Sequence, residues 1–236
     1  MAFWSRKKKQ QEESKGGSVI YRHGGEEFSK SKIGFTEEST QEFCKARESV
    51  YGRFFGDSEN VFHEVIPLVP HIDVYTYPPG YKGRSFYTLV TSGMSDLAMT
   101  LPENAKGFSS RVELIFYCSE PKPEYAELLR RFAHFPHDNN TWLGFWHTIP
   151  NGTPPMPFGK SDVLDSFLFM PTIVKPDSSL RDELELDGQQ VSFLWLVPLS
   201  TPECNFKLQH GMNALLDLFE KHRHLHVFDE KRSSYV

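Results

Sequence analysis

The stretch His71-Ile72-Asp73-Val74-Tyr75-Thr76-Tyr77-Pro78-Pro79, followed by Phe86-Tyr87-Thr88-Leu89-Val90-Thr91-Ser92-Gly93-Met94-Ser95-Asp96, decides the fold class. Both segments are dense in β-branched and aromatic residues, which suit the pleated surface of a strand. A Pro/Gly turn joins them, and the second segment breaks at Ser92-Gly93, so a shaped loop leaves the sheet there.

Outward from this pair, Ser39 and Glu42 have the spacing of a capping box. Phe43, Ala46, Val50 and Phe54 then form one apolar stripe that stops at Gly56. Strands are predicted at 61–66, 71–77, 85–91 and 111–118. A second helix opens with Pro123 as its first residue and carries Tyr125, Leu128, Leu129 and Phe132 on one face; Pro136 is expected to end it. Residues 136–160 read as loop, followed by strands at 164–170 and 191–198 with a charged, turn-rich segment at 175–190 between them. A helical pair begins at Thr201-Pro202-Glu203 and is interrupted at Gly211. Successive strands with short links favour antiparallel pairing. The expected class is therefore α+β, with a mixed, mostly antiparallel sheet and helices packed on it.

Residues 1–34 are rich in Lys, Glu, Gln, Ser and Gly and carry few apolar anchors, so they are expected to be a poorly ordered tail. One domain is expected over 35–225, with a C-terminal tail at 226–236. Twenty Phe among the 236 residues predict an aromatic core, and the net charge of −5 argues against nucleic acid as a partner. Cys44, Cys118 and Cys204 show no paired spacing and read as reduced thiols. The start has no apolar run behind Arg6–Lys9, and no stretch has the length of a membrane helix. A cytoplasmic protein without membrane contact is expected, as a monomer or weak homodimer.

Several constellations could carry chemistry. His134, His137, Asp138 and His147, joined by His71 and Asp73, are residue types that suit zinc or iron, and they define the alternative reading, a metal-dependent enzyme. Against it, no HExxH pattern is present and Pro136 separates the first two histidines, so no cofactor is expected. Gly159-Lys160-Ser161 ends like a P-loop, but Pro154 stands where the opening glycine belongs, and Pro155 and Pro157 remove the amides a phosphate cradle needs. Ser92 and Ser95 lack the GxSxG elbow of a nucleophile, and the turn itself accounts for their hydroxyls. Asp96 is expected to hold that turn by accepting backbone amides.

The words of the opening stretch recur with others in one order. They are Ala126-Glu127-Leu128, Phe135-Pro136-His137, Asn140-Thr141-Trp142, Gly144-Phe145-Trp146-His147-Thr148-Ile149-Pro150-Asn151-Gly152, and Phe193-Leu194-Trp195-Leu196-Val197-Pro198-Leu199 leading into Thr201-Pro202-Glu203. Together they span about residues 60–220 and resemble the suppressor-of-fused (Sufu-like) domain family in its compact bacterial form. The resemblance implies a non-catalytic, sequestering domain that binds another protein. In bacteria it implies an immunity protein for a polymorphic toxin, or a regulator of a protein factor. Animal members carry a second domain and a Tyr where this chain has Ala98, so their peptide clamp does not transfer. The expected partner-binding residues are Tyr77, Tyr81, Met94, Asp96, Phe145 and Phe158, with Trp142 and Trp146 nearby, on loops 78–100 and 136–158 that are expected to lie side by side.

Overall fold

The computed structural model describes residues 12–23, 32–33, 38–66, 68–105 and 107–236. In chain order the elements are β1 (Glu12–Glu13), β2 (Val19–Ile20), β3 (Lys32–Ile33), α1 (Glu38–Phe55), β4 (Asn60–Phe62), β5 (Leu68–Val69), β6 (Asp73–Tyr77), β7 (Tyr87–Ser92) and β8 (Arg111–Cys118). They continue with α2 (Pro123–Asp138), β9 (Thr148–Pro150), β10 (Leu164–Pro171), β11 (Glu185–Leu186), β12 (Gln189–Ser200), α3 (Thr201–His210) and α4 (Met212–Lys221). The strands β4, β6, β7, β8, β12, β10 and β9 lie side by side in that order, and β11 folds back on β12. Among these pairs only β8 and β12 run parallel, with Leu114 opposite Leu194 and Ile115 opposite Trp195. The class is α+β with a mixed, mostly antiparallel sheet.

The unbroken apolar run of β12 follows from burial on both sheet faces. Phe193, Trp195, Val197 and Leu199 enter a core shared with Val50, Tyr51, Phe54 and Phe55 of α1 and with Leu215 and Phe219 of α4. The alternate residues Leu194 and Leu196 join Tyr125, Leu128, Leu129 and Phe132 of α2 in a second core. Each large apolar side chain buried this way contributes about 1.5–3 kcal/mol. α1 and α4 thus cover one face of the sheet and α2 the other.

Several boundaries differ from the sequence reading. α1 begins at Glu38, so Ser39 lies in its first turn and not ahead of it. A capping box does form at α3, where Ser200 Oγ accepts from Glu203 N at 3.3 Å and Glu203 Oε2 accepts from Ser200 N at 2.8 Å. Pro136 does not end α2. The helix runs on to Asp138, which places His134 and His137 three residues apart on one helix. A proline near a C-terminus costs one intrahelical hydrogen bond, and the burial of Phe132, Ala133 and His134 outweighs that loss. β9, in the stretch read as loop, is held by its register with β10.

Both ends make packing contacts. Within the stretch expected to be a tail, β1 and β2 form a hairpin whose Gly16 N donates to Leu208 O at 2.8 Å. A Cβ on Gly16 would lie 2.4 Å from Gly211 N, so only glycine allows this approach. Residues 1–11, 24–31 and 34 of that stretch lie outside the described residues. The C-terminal segment 226–236 is no free tail: Phe228 bridges Cys118 in parallel, packs in the α2-side core, and its N donates to Tyr117 O at 2.8 Å.

Candidate functional site

Past Val90 and Ile115, β7 and β8 separate, and the turn Ser92-Gly93-Met94-Ser95-Asp96 fills the gap. Glu113, wholly buried in β8, organises this turn. Its carboxylate accepts from Gly93 N (3.1 Å), Ser95 N (3.0 Å), Ser95 Oγ (2.5 Å) and Thr91 Oγ1 (2.5 Å). Thr91 Oγ1 in turn accepts from Leu114 N at 2.8 Å and so replaces a strand carbonyl in the ladder. Arg47 reaches in from α1, donating to Ser92 Oγ at 2.8 Å and to Asp96, with Nε 3.8 Å from Glu113. Arg111 donates to the carbonyls of Ser95 (2.7 Å) and Asp96 (2.8 Å). Burial pushes the Glu113 and Asp96 carboxyls above their ordinary range, against the pull of Arg47.

Glu113 therefore does what the sequence reading assigned to Asp96. Asp96 pairs with Arg47 and leaves Oδ2 without a hydrogen-bond partner. The signal for Glu113 was present in the sequence: one acid inside the apolar run Arg111–Cys118 must be paired if it is buried. Ser92 and Ser95 are bound into the same network, so neither hydroxyl is presented for nucleophilic attack. A second buried ion pair ties the charged segment to the sheet. Arg84 donates to both oxygens of Asp177 at 2.6 and 2.9 Å, and Tyr117 Oη donates to the same carboxylate at 2.7 Å.

Of the histidines of the metal reading, His134 and His71 share Glu64, while His137 and His147 lie against other partners. His134 Nε2 lies 2.6 Å from Glu64 Oε1, His137 Nε2 lies 3.2 Å from the carbonyl of Met94, and the His147 ring packs edge-on to Trp142 at 4.3 Å. Burial drives both His137 and His147 down to about 4. Asp73 pairs with His63 and with His71, and His71 Nδ1 lies 3.7 Å from Glu64, the carboxylate that also meets His134. Among the described residues no group of three His, Cys, Asp or Glu side chains could hold a metal ion.

The expected partner-binding residues separate by burial. Tyr77, Met94 and Phe158 lie in the core, at most 7% exposed, and present no surface. Asp96 is bound to Arg47, and Phe145 is half-buried against the α2-side core. Tyr81 is exposed and rests on Gly56, just past the end of α1. The loops do meet over part of their length. Thr100 N donates to Thr141 O at 3.2 Å, Leu143 N approaches Met99 Sδ at 3.4 Å, and the Phe108 and Trp142 rings stand 5.1 Å apart. Leu97, Phe108 and Trp146 remain exposed on these joined loops, and Trp146 holds a left-handed backbone with φ 73°. Sequence reasoning missed Leu97 and Phe108 because neither lies in a recognisable word.

A mixed sheet with α1 and α4 on one face and α2 on the other, and a buried Glu–Arg–Ser network shaping one exit loop, defines an α+β domain. The family profile described as Suppressor of fused protein (SUFU) matches residues 69–233, and the chain belongs to that family. A SUFU homolog from Neisseria gonorrhoeae superposes with a TM-score of 0.61 at 18% identity, covering 83% of this chain and 98% of that one. A structure of a Sufu–Fu complex gives 0.53 at 15% identity, covering 84% and 92%. Drosophila Suppressor of Fused gives 0.53 at 14% identity, and there the match covers 81% of this chain but 50% of the fly chain. At these identities the likeness is one of fold. No curated protein matches the chain by sequence. Among the described residues no helix is long and apolar enough to cross a membrane.

Proposed function

We propose that this chain is a non-catalytic domain that binds and sequesters another protein through the joined loops 97–110 and 139–147. One observation carries the reading: Leu97, Phe108 and Trp146 stay exposed on loops fastened together by the Thr100–Thr141 hydrogen bond. Rigid, exposed aromatic side chains on a fixed scaffold are the usual anchors of a protein interface. Family membership supports the same reading, since a relative is known in a Sufu–Fu complex. The buried histidines and serines, meanwhile, are engaged by protein atoms.

The partner we favour is a toxin domain neutralised in the cytoplasm, with this chain as its immunity protein; a regulatory factor is the other member of the same class. The formal charge of −5 suits a basic partner through electrostatic steering. The test is co-expression with the C-terminal toxin domain of a large secreted protein, sought first among the genes that flank this one. Rescue of growth and a stable complex are expected, and Phe108→Ser should abolish both while the melting temperature is kept. Rescue that survives both Phe108→Ser and Trp146→Ser would overturn this surface.

A further inference from the structure

The loop between Asp96 and Arg111 closes on itself. Arg111 Nη1 donates to the carbonyls of Ser95 at 2.7 Å and Asp96 at 2.8 Å, and Met99 N donates to Ser110 O at 2.8 Å. The two ends of Leu97–Ser110 are therefore tied at two levels. Met99 and Ala105 are buried, and short turns run through the loop, with Ala105 N donating to Pro102 O at 2.9 Å and Phe108 N to Ala105 O at 3.2 Å. A compact surface loop with joined ends and its own packed side chains is an Ω-loop.

The neck of this loop is braced from outside. Arg111 Nη2 donates to Asp187 Oδ2 at 3.2 Å, and the guanidinium lies 5.5 Å from the centre of the Phe43 ring on α1. Asp187 and Gly188 form the tip between β11 and β12, with φ of 52° and 69°, both left-handed as a two-residue type I′ hairpin requires. Leu184 and Leu186 root this hairpin in the α1-side core, and Ser110 Oγ donates to Gln189 Oε1 at 2.6 Å.

We propose that Arg111 is the positioning residue of the partner-binding face: it holds the neck of Leu97–Ser110 against a rigid hairpin and so fixes the pose in which Leu97 and Phe108 stand exposed. This rests on the reading of that face given above. Leu97 follows directly on Asp96, whose carbonyl Arg111 holds. Phe108 precedes Ser109, whose hydroxyl accepts from Arg111 N at 3.1 Å, and the Phe108 ring meets Trp142 at 5.1 Å. Arg111 is 6% exposed, so it acts through the loop and not by touching a partner. Order of this kind raises affinity without adding a contact, because a face populated for only part of the time binds more weakly in proportion.

Fluorine NMR of the full chain with 4-fluorophenylalanine at position 108 reads the pose, and Trp142→Leu identifies the ring-current shift that Trp142 imposes. Arg111→Met should move the resonance toward that of the free amino acid, and Arg111→Lys, which keeps a charged donor, should restore most of the shift. Asp187→Gly, at an exposed position whose backbone glycine adopts, should move it the same way by a smaller amount, and carries the test if Arg111→Met does not fold. Thermal melts confirm the fold of each variant. Against the partner domain that co-expression identifies, Arg111→Met should bind roughly tenfold more weakly, mainly through slower association. A resonance that keeps its parent position in both variants overturns the proposal and leaves the face standing. A loosened loop that binds with the parent affinity overturns the positioning role, and Phe108→Ser then decides whether the face falls with it.

Discussion

Glu113 of β8 holds Ser95 by both its backbone N–H (3.0 Å) and its hydroxyl (2.5 Å), so one buried carboxylate fixes the exit loop of the neighbouring strand. The same carboxylate takes Gly93 N and faces Arg47 of α1, joining helix, strand and loop at a single point. Replacing Glu113 with Ala leaves two amides and two hydroxyls buried without their acceptor and removes one of the two carboxylates facing Arg47, and should cost about 3–5 kcal/mol. Asp96→Ala removes one partner of Arg47 at the margin of the network and should cost about 1–3 kcal/mol. Urea denaturation of both variants checks the order; an Asp96 variant less stable than the Glu113 variant would reverse it.

Gly93 has a φ of 126°, and a Cβ there would lie 1.9 Å from the carbonyl oxygen of His71. Neither backbone can yield without breaking the register of β6 on β7, in which Asp73 faces Ser92. Gly93→Ala should therefore lose more than the roughly 1–3 kcal/mol of the backbone conformation alone. An alanine variant that melts with the parent chain would contradict the tight approach.

Stability should fall as pH drops from about 6.5 toward 4. Burial lowers His137, His147 and His224 to about 4 in the folded chain, so across this window the unfolded state binds more protons. Glu113 and Asp96, both raised by burial, work in the opposite direction, gaining stability as pH falls through their folded values. His147→Gln should flatten the slope by up to one proton, about 1.4 kcal/mol per pH unit. Denaturation series at pH 7, 6, 5 and 4 measure it, and an unchanged slope would show that His147 protonates freely in the native state.

The contacts of His134 and His137 also predict a metal analysis. Untagged protein should carry no stoichiometric zinc or iron, and added zinc should leave the melting temperature unchanged, because the two imidazoles face Glu64 and a backbone carbonyl instead of each other. One equivalent of metal that vanishes in both His137→Ala and His147→Ala would restore the enzyme reading.

The elements with strong local pattern were legible in the sequence. The alternation of Val74, Thr76 and Leu89, the continuous apolar β12, and Pro123 at the start of α2 gave the class and most strands. What was not legible depends on distant partners. The three-residue β9 exists through its pairing with β10, and the C-terminal segment is held by Arg232 and Phe228 against strands far away in the chain. At the site, the Ser-Gly-Met-Ser-Asp word located the shaped loop but credited the wrong carboxylate. Aromatic content singled out Tyr77 and Phe158, which the core absorbs, and passed over Phe108, whose exposure follows from a loop path with no local signature.

The central claim, that Leu97, Phe108 and Trp146 form the face on which a partner protein sits, is tested most directly by hydrogen–deuterium exchange. The chain is measured alone and with the partner domain that co-expression identifies. The account predicts slowed exchange confined to the loops 97–110 and 139–147, lost together with the complex in Phe108→Ser. Protection that appears elsewhere, or a complex that Phe108→Ser leaves intact, would contradict it.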